Sequence, residues 1–259
     1  RNLADGTIAY YPVSGNYDFW GYRVDDAAGA TPVVKTVDDT GAEVEANVAT
    51  KRVVDITIDG SQDIMAGKAV PSTDEVTKLG NYADNFYSAY AARKGVQPNI
   101  TFNHLLTRFT FEVRAGSKAT AGAGASGNTE AVRVKGISVE SLTNGTLTVA
   151  YTGETKQAAD LLTFTGDASA LTLKQRATTA ASNNDPLVDL VEVPLTWPAA
   201  GEATVGDVIS VGEALLVAPG KTEYPLTIAL AQKVKQNTAD TDKTDMNLEQ
   251  KATIKMDGV

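Results

Sequence analysis

Leu105-Leu106-Thr107-Arg108-Phe109-Thr110-Phe111-Glu112-Val113-Arg114-Ala115 is the stretch that decides the fold class. Leu105, Thr107, Phe109, Phe111, Val113 and Ala115 alternate with Leu106, Arg108, Thr110, Glu112 and Arg114. One set is mainly apolar and the other mainly polar. Successive side chains of a strand point to opposite faces, so a period of two marks a strand with one face in a core. Outward from this stretch the same pattern recurs. Tyr224, Leu226, Ile228 and Leu230 alternate with Pro225, Thr227 and Ala229. Ala252, Ile254 and Met256 alternate with Thr253 and Lys255, and Val53, Val54, Ile56 and Ile58 read as a further strand. Residues 8–13 and 17–24 add two more.

Val132, Val134, Ile137 and Val139 lead to Asn144-Gly145, and Leu147, Val149 and Tyr151 follow. Asn-Gly accepts the positive φ values of a tight I′ turn, so the pattern predicts a hairpin there. The apolar phase slips by one at Gly136, which predicts a β-bulge. One segment reads as helical: Tyr82, Phe86, Tyr87 and Tyr90, with a stop at Lys94-Gly95. Residues 115–128 are mostly Gly, Ala and Ser and residues 235–247 are polar and Asp-rich, so both read as loops. Gly95-Val96-Gln97-Pro98 reads as a boundary. The expected fold is therefore all-β: two β-sandwich domains, residues 1–98 and 99–259, with one short helix near residues 82–93.

Composition narrows the function. The chain has 259 residues, of which 42% are hydrophobic and 21% charged, enough apolar material to build a core. Its net charge is −9, which argues against a nucleic-acid or anionic-membrane binder. With no cysteine and one histidine, it offers no zinc ribbon, thiol nucleophile or cluster of histidine ligands. No apolar run approaches the roughly 18 residues of a membrane helix.

Each candidate site has a plain competitor. His104 lacks a nucleophile elbow nearby and reads as a structural residue at the start of a core strand, bonded to backbone. Tyr10, Tyr11, Tyr17, Phe19, Trp20 and Tyr22 form the densest aromatic cluster. Exposed rings of this kind stack on sugars, and Tyr10, Tyr11, Trp20 and Tyr22 are the candidate glycan or partner surface. Phe19 and Trp20 are adjacent, however, so in a strand they face opposite sides and one side is core. Residues 240–249 carry calcium-like spacing, but Asp245 stands where an EF-hand needs Gly and Lys251 where it needs Glu. Asp25-Asp26 and Asp38-Asp39 are adjacent pairs, not carboxylates facing across a cleft. No phosphate loop or dinucleotide fingerprint is present. The residues predict no enzyme and no metal or cofactor.

Several strings, in order, resemble the fimbrillin family of Bacteroides-type bacteria. They are Tyr10-Tyr11-Pro12-Val13-Ser14-Gly15, then Tyr17-Asp18-Phe19-Trp20-Gly21-Tyr22, then Gln62-Asp63-Ile64-Met65-Ala66. Next come Ile100-Thr101-Phe102-Asn103-His104-Leu105-Leu106-Thr107-Arg108-Phe109 and Leu215-Leu216-Val217-Ala218-Pro219-Gly220. The resemblance implies a surface pilin with two transthyretin-like domains, exported as a lipoprotein to the outer-membrane fimbrium. Its partners would be other pilin subunits, joined by strand complementation, and a host glycan or protein receptor. Membrane attachment would run through a lipid anchor outside this chain. Stalk members lose an N-terminal strand to a protease that often cuts after Arg, which makes Arg1 the candidate processing remnant. Against the family pattern, the chain is expected to lack opening strands of its first domain and closing strands of its second.

Overall fold

The computed structural model describes residues 11, 15, 17–24, 32–82, 86–117, 130–152, 160–177, 186–197, 204–237 and 241–256. The chain is all-β, built from several antiparallel sheets with two short helices. It divides into two compact units. Unit 1 comprises Arg1–Asp55, Asp63–Leu105 and Thr146–Thr163; unit 2 comprises Ile56–Gln62, Leu106–Gly145 and Phe164–Val259. Where the sequence places one boundary, near residue 98, the chain passes between the units several times.

In unit 1, β1 (Trp20–Val24) pairs with β4 (Ile64–Lys68), which pairs in turn with β5 (Asn103–His104). β2 (Val34–Val37) pairs with β3 (Lys51–Thr57), which continues past Asp55 into unit 2. Gly67 is required for the close approach of the chain to β4: a Cβ there would lie 2.2 Å from the carbonyl oxygen of Thr101.

The helices differ from expectation. Among the described residues there are two, α1 (Thr73–Leu79) and α2 (Ala89–Arg93), with a single 3-10 turn at Gly80–Tyr82. Of the predicted helix at residues 82–93, residues 83–85 lie outside the described residues, 86–88 are turn and bend, and α2 follows, capped by Ser88 accepting from the Ala91 N–H. Its predicted end is correct: Gly95 takes φ +78° and donates to Ala92. α1 went unread, although Ser72 and Glu75 form a complete capping box: each side chain bonds to the other's backbone N–H. Leu79, Tyr87, Ala91, Val96 and Ala69 pack together as one buried cluster.

Unit 2 holds the deciding strand. β6 (Thr107–Val113) buries Phe109, Phe111 and Val113 in part and exposes Arg108, Thr110 and Glu112, as the alternation predicts. It pairs with β12 (Ile209–Val217). β7 (Arg133–Tyr151) pairs with β13 (Glu223–Val234), which pairs with β14 (Thr244–Lys255). The two groups of strands meet through side chains: the Phe109 and Tyr224 rings pack edge to face at 5.2 Å, and Tyr224 is fully buried. The predicted bulge is present, since Ala229 faces Gly136 while Leu230 faces Val134, leaving Lys135 as the extra residue.

The predicted hairpin is absent. β7 runs extended through Asn144-Gly145 for its full 19 residues. Backbone partners hold it on the way: Ile58 N–H donates to Thr143, Thr148 N–H to Leu161, and Thr152 N–H to Thr50. Asn144 is exposed and accepts from the Thr57 hydroxyl. Ladder pairing along the whole strand outweighs the local turn preference. The polar stretch at 235–247 is also shorter as a loop than predicted, because residues 244–247 already belong to β14. β8 (Leu162–Thr172) pairs with β7, β9 (Lys174–Arg176) with β10 (Leu187–Asp189), and β11 (Val193–Pro194) with β7.

Candidate functional site

The aromatic candidates are mostly occupied in packing. Arg1, Tyr10, Asp25 and Asp26 lie outside the described residues, as does the predicted strand at 8–13 apart from Tyr11. Phe19 packs edge to face on Tyr87 at 5.6 Å, with Tyr11 at 6.2 Å and Tyr17 at 6.4 Å. Trp20 packs instead on Tyr151 at 4.3 Å, and the Lys68 ammonium sits 4.6 Å from its ring centroid. The adjacent rings thus take different partners, as their alternation requires. Tyr22 is half-buried opposite Ala66.

His104 is placed at β5, but its partner is not backbone. Its Nδ1 lies 2.7 Å from the Asp63 carboxylate, and its side chain is largely exposed. The sequence carried this pairing only across 41 residues, from the residue before β4 to β5, with no local signal. Asp38 is a turn residue, accepting from the Thr40 N–H and hydroxyl and from the Ala42 N–H. These bonds, the Thr40 hydroxyl foremost, hold its carboxyl below the usual range. Asp39 accepts from Thr50. Among the described residues no group of three or more His, Asp or Glu converges to hold a metal.

The unfinished part of the structure lies at β14. Its even residues Met246, Leu248, Gln250, Ala252 and Ile254 share a face with Gln232, Leu230, Ile228, Leu226 and Tyr224 of β13. The same face continues on β7 through Val134, Ile137 and Val139. Burial falls across it. Val134, Ile137 and Val139 are buried, and Leu226, Ile228 and Leu230 are half-buried. Met246 is 63% exposed and Leu248 57%. Phe109 of β6 rests on Tyr224 of β13, whereas on β14 Met246 and Leu248 stay open to water and Ile254, opposite Tyr224, is half-buried. Full burial of a Leu or Met side chain is worth roughly 1.5–3 kcal/mol, which these two residues largely forgo.

Two strand edges accompany this apolar face. Among the described residues β6 pairs with β12 alone and β14 with β13 alone. β14 is 12 residues long, pairs without a bulge and contains no Pro, so of the devices that usually blunt a sheet edge it carries charged side chains alone, Asp245, Glu249, Lys251 and Lys255. The sequence made the strand legible through Ala252, Ile254 and Met256 but not its exposure, because alternation shows a face and not what covers it. No family model, curated protein or solved structure matches the chain. The arrangement suits pairing and burial: it offers backbone donors and acceptors beside an exposed apolar strip.

Proposed function

We propose that the chain is a fimbrial structural subunit or pilus-associated adhesin of the bacterial cell surface. Its assembly step is β-strand exchange following proteolytic removal of an N-terminal segment, and its units are transthyretin-like β-sandwiches. The observation that carries the reading is the exposure of Met246 and Leu248 on β14, in the same unit as β6, which among the described residues has β12 as its one strand partner. A strand added to β6 from a neighbouring subunit satisfies that backbone and covers Met246 and Leu248 in one step. The ordered sequence strings supply the family to which this behaviour belongs.

The test is to incubate the full-length protein with an Arg-specific protease and run the product on SDS gels. The reading expects ladders that survive SDS, weakened by Met246→Asp and Leu248→Asp, which place charge under the incoming strand. A wild-type protein that yields no ladder under any processing condition overturns strand exchange. Ladders indifferent to both substitutions place the acceptor groove elsewhere.

A further inference from the structure

We propose that β14 is a self-recognition edge, through which two copies of this chain pair antiparallel about a two-fold axis at Gln250. The proposal goes beyond the fimbrial reading and does not depend on it, since it needs only the sequence, exposure and pairing of β14.

Antiparallel pairing about a two-fold at residue 250 sets each residue opposite the one equally far on the other side. On the polar face, Asp245 then meets Lys255, Asn247 meets Thr253, and Glu249 meets Lys251. On the apolar face, Met246 meets Ile254 and Leu248 meets Ala252, while Gln250 meets Gln250. Every charged residue of the strand finds its opposite, and every apolar residue finds an apolar one. Symmetry makes each pair occur twice. Directly opposed pairs are the unit of sheet stabilisation, so this register is self-complementary along the whole strand.

The alternatives are penalised. A slip of two residues one way places Glu249 opposite Glu249; two the other way, Lys251 opposite Lys251. A slip of one residue sets the apolar face against the polar one. Charge therefore selects the register as well as the partner.

The inner charges are uncommitted. Asp245 already pairs with Arg133 at 2.7 Å, and Lys255 with Glu223 at 3.6 Å. Among the described residues Glu249 and Lys251 have no ion-pair partner, and both are exposed. They are the residues that a second copy would engage. The strip completed by the pair joins Met246 and Leu248 of one copy to Ile254 and Ala252 of the other, which partly shields side chains now open to water.

The experiment is sedimentation equilibrium on the whole chain, with charge reversals that keep the fold by circular dichroism. Wild type should dimerise with concentration. Glu249→Lys sets lysines against Lys251 of the other copy, and Lys251→Glu sets glutamates against Glu249. Each alone should weaken the dimer by about tenfold or more. An equimolar mixture of the two variants should restore dimers, because a heterodimer brings opposite charges together at both inner pairs. The double reversal in one chain should do the same.

A second readout uses the absence of native cysteine. Gln250→Cys faces its own copy and should form a disulfide-linked dimer on mild oxidation. Met246→Cys should not, since the two copies of that residue lie about 27 Å apart along paired strands. A wild type that stays monomeric to about 1 mM, with Gln250→Cys no more cross-linked than Met246→Cys, overturns the proposal. So does a dimer unmoved by both charge reversals, which must form through another surface. No protease is added, so a failure here is separate from a failure of processing-dependent strand exchange.

Discussion

Gly60 sits where three constraints meet. Its φ is +95°, a conformation that residues with a Cβ rarely adopt, and an added Cβ would lie 2.5 Å from the Leu215 Cδ1. Its carbonyl also accepts from the Leu216 N–H at 2.8 Å, which leaves little room to move. Gly60→Ala should therefore cost about 2–4 kcal/mol in urea denaturation, combining backbone strain with overpacking. Beside it, Asp59 binds the Ser61 N–H and hydroxyl through one oxygen and Lys174 through the other, at 3.0 Å. Burial pushes this carboxyl upward, but the bonds from Ser61 and Lys174 together outweigh it and hold the group below the usual range. A carboxylate lowered in the folded state adds stability above its unfolded pKa and loses it as pH falls through the folded one. Asp59→Asn should thus be less stable than wild type at neutral pH. Its deficit should shrink below about pH 4. Denaturation midpoints across that range check this.

Among the elements, the legible ones were those whose pattern is made by the residues themselves. β6 shows its two faces in Phe109 and Phe111 against Arg108 and Glu112, and Gly136 marks the bulge of β7 by a slip in phase. The unread or misread elements depended on partners distant in sequence. Asn144-Gly145 has the composition of a turn, yet ladder bonds to Ile58 and to neighbouring strands keep β7 extended. α1 is the exception, since its signal was local: Ser72 and Glu75 stand three apart, and the apolar periodicity of a seven-residue helix is too short to draw attention to them. Ser72→Ala removes the acceptor for the Glu75 N–H and should destabilise the fold by about 1 kcal/mol. Hydrogen exchange should show the loss concentrated in residues 73–79.

At the scale of the whole molecule, the all-β class was readable, because alternation and turn residues are distributed along the entire chain. The composition of the units was not. Ile56–Gln62 belongs to unit 2 although unit 1 surrounds it in sequence, and Thr146–Thr163 belongs to unit 1 although unit 2 surrounds it. A composition shift near Pro98 carries no information about such exchanges, which are fixed by strand pairing. Fragments 1–98 and 99–259 each omit a segment of the unit they would need to form. Neither should give a dispersed NMR spectrum alone, whereas the intact chain should; a well-folded fragment in isolation would contradict this division.

The distribution of charge along β14 bears on one further fate of an exposed edge. Cross-β fibrils stack identical segments parallel and in register about 4.8 Å apart, which turns each residue into a row of copies of itself. Here that would create rows of Asp245, Glu249, Lys251 and Lys255, each repelling along its own length. A long strand that shows methionine and leucine to water is thus guarded against amyloid growth by its four charges rather than by being short or hidden.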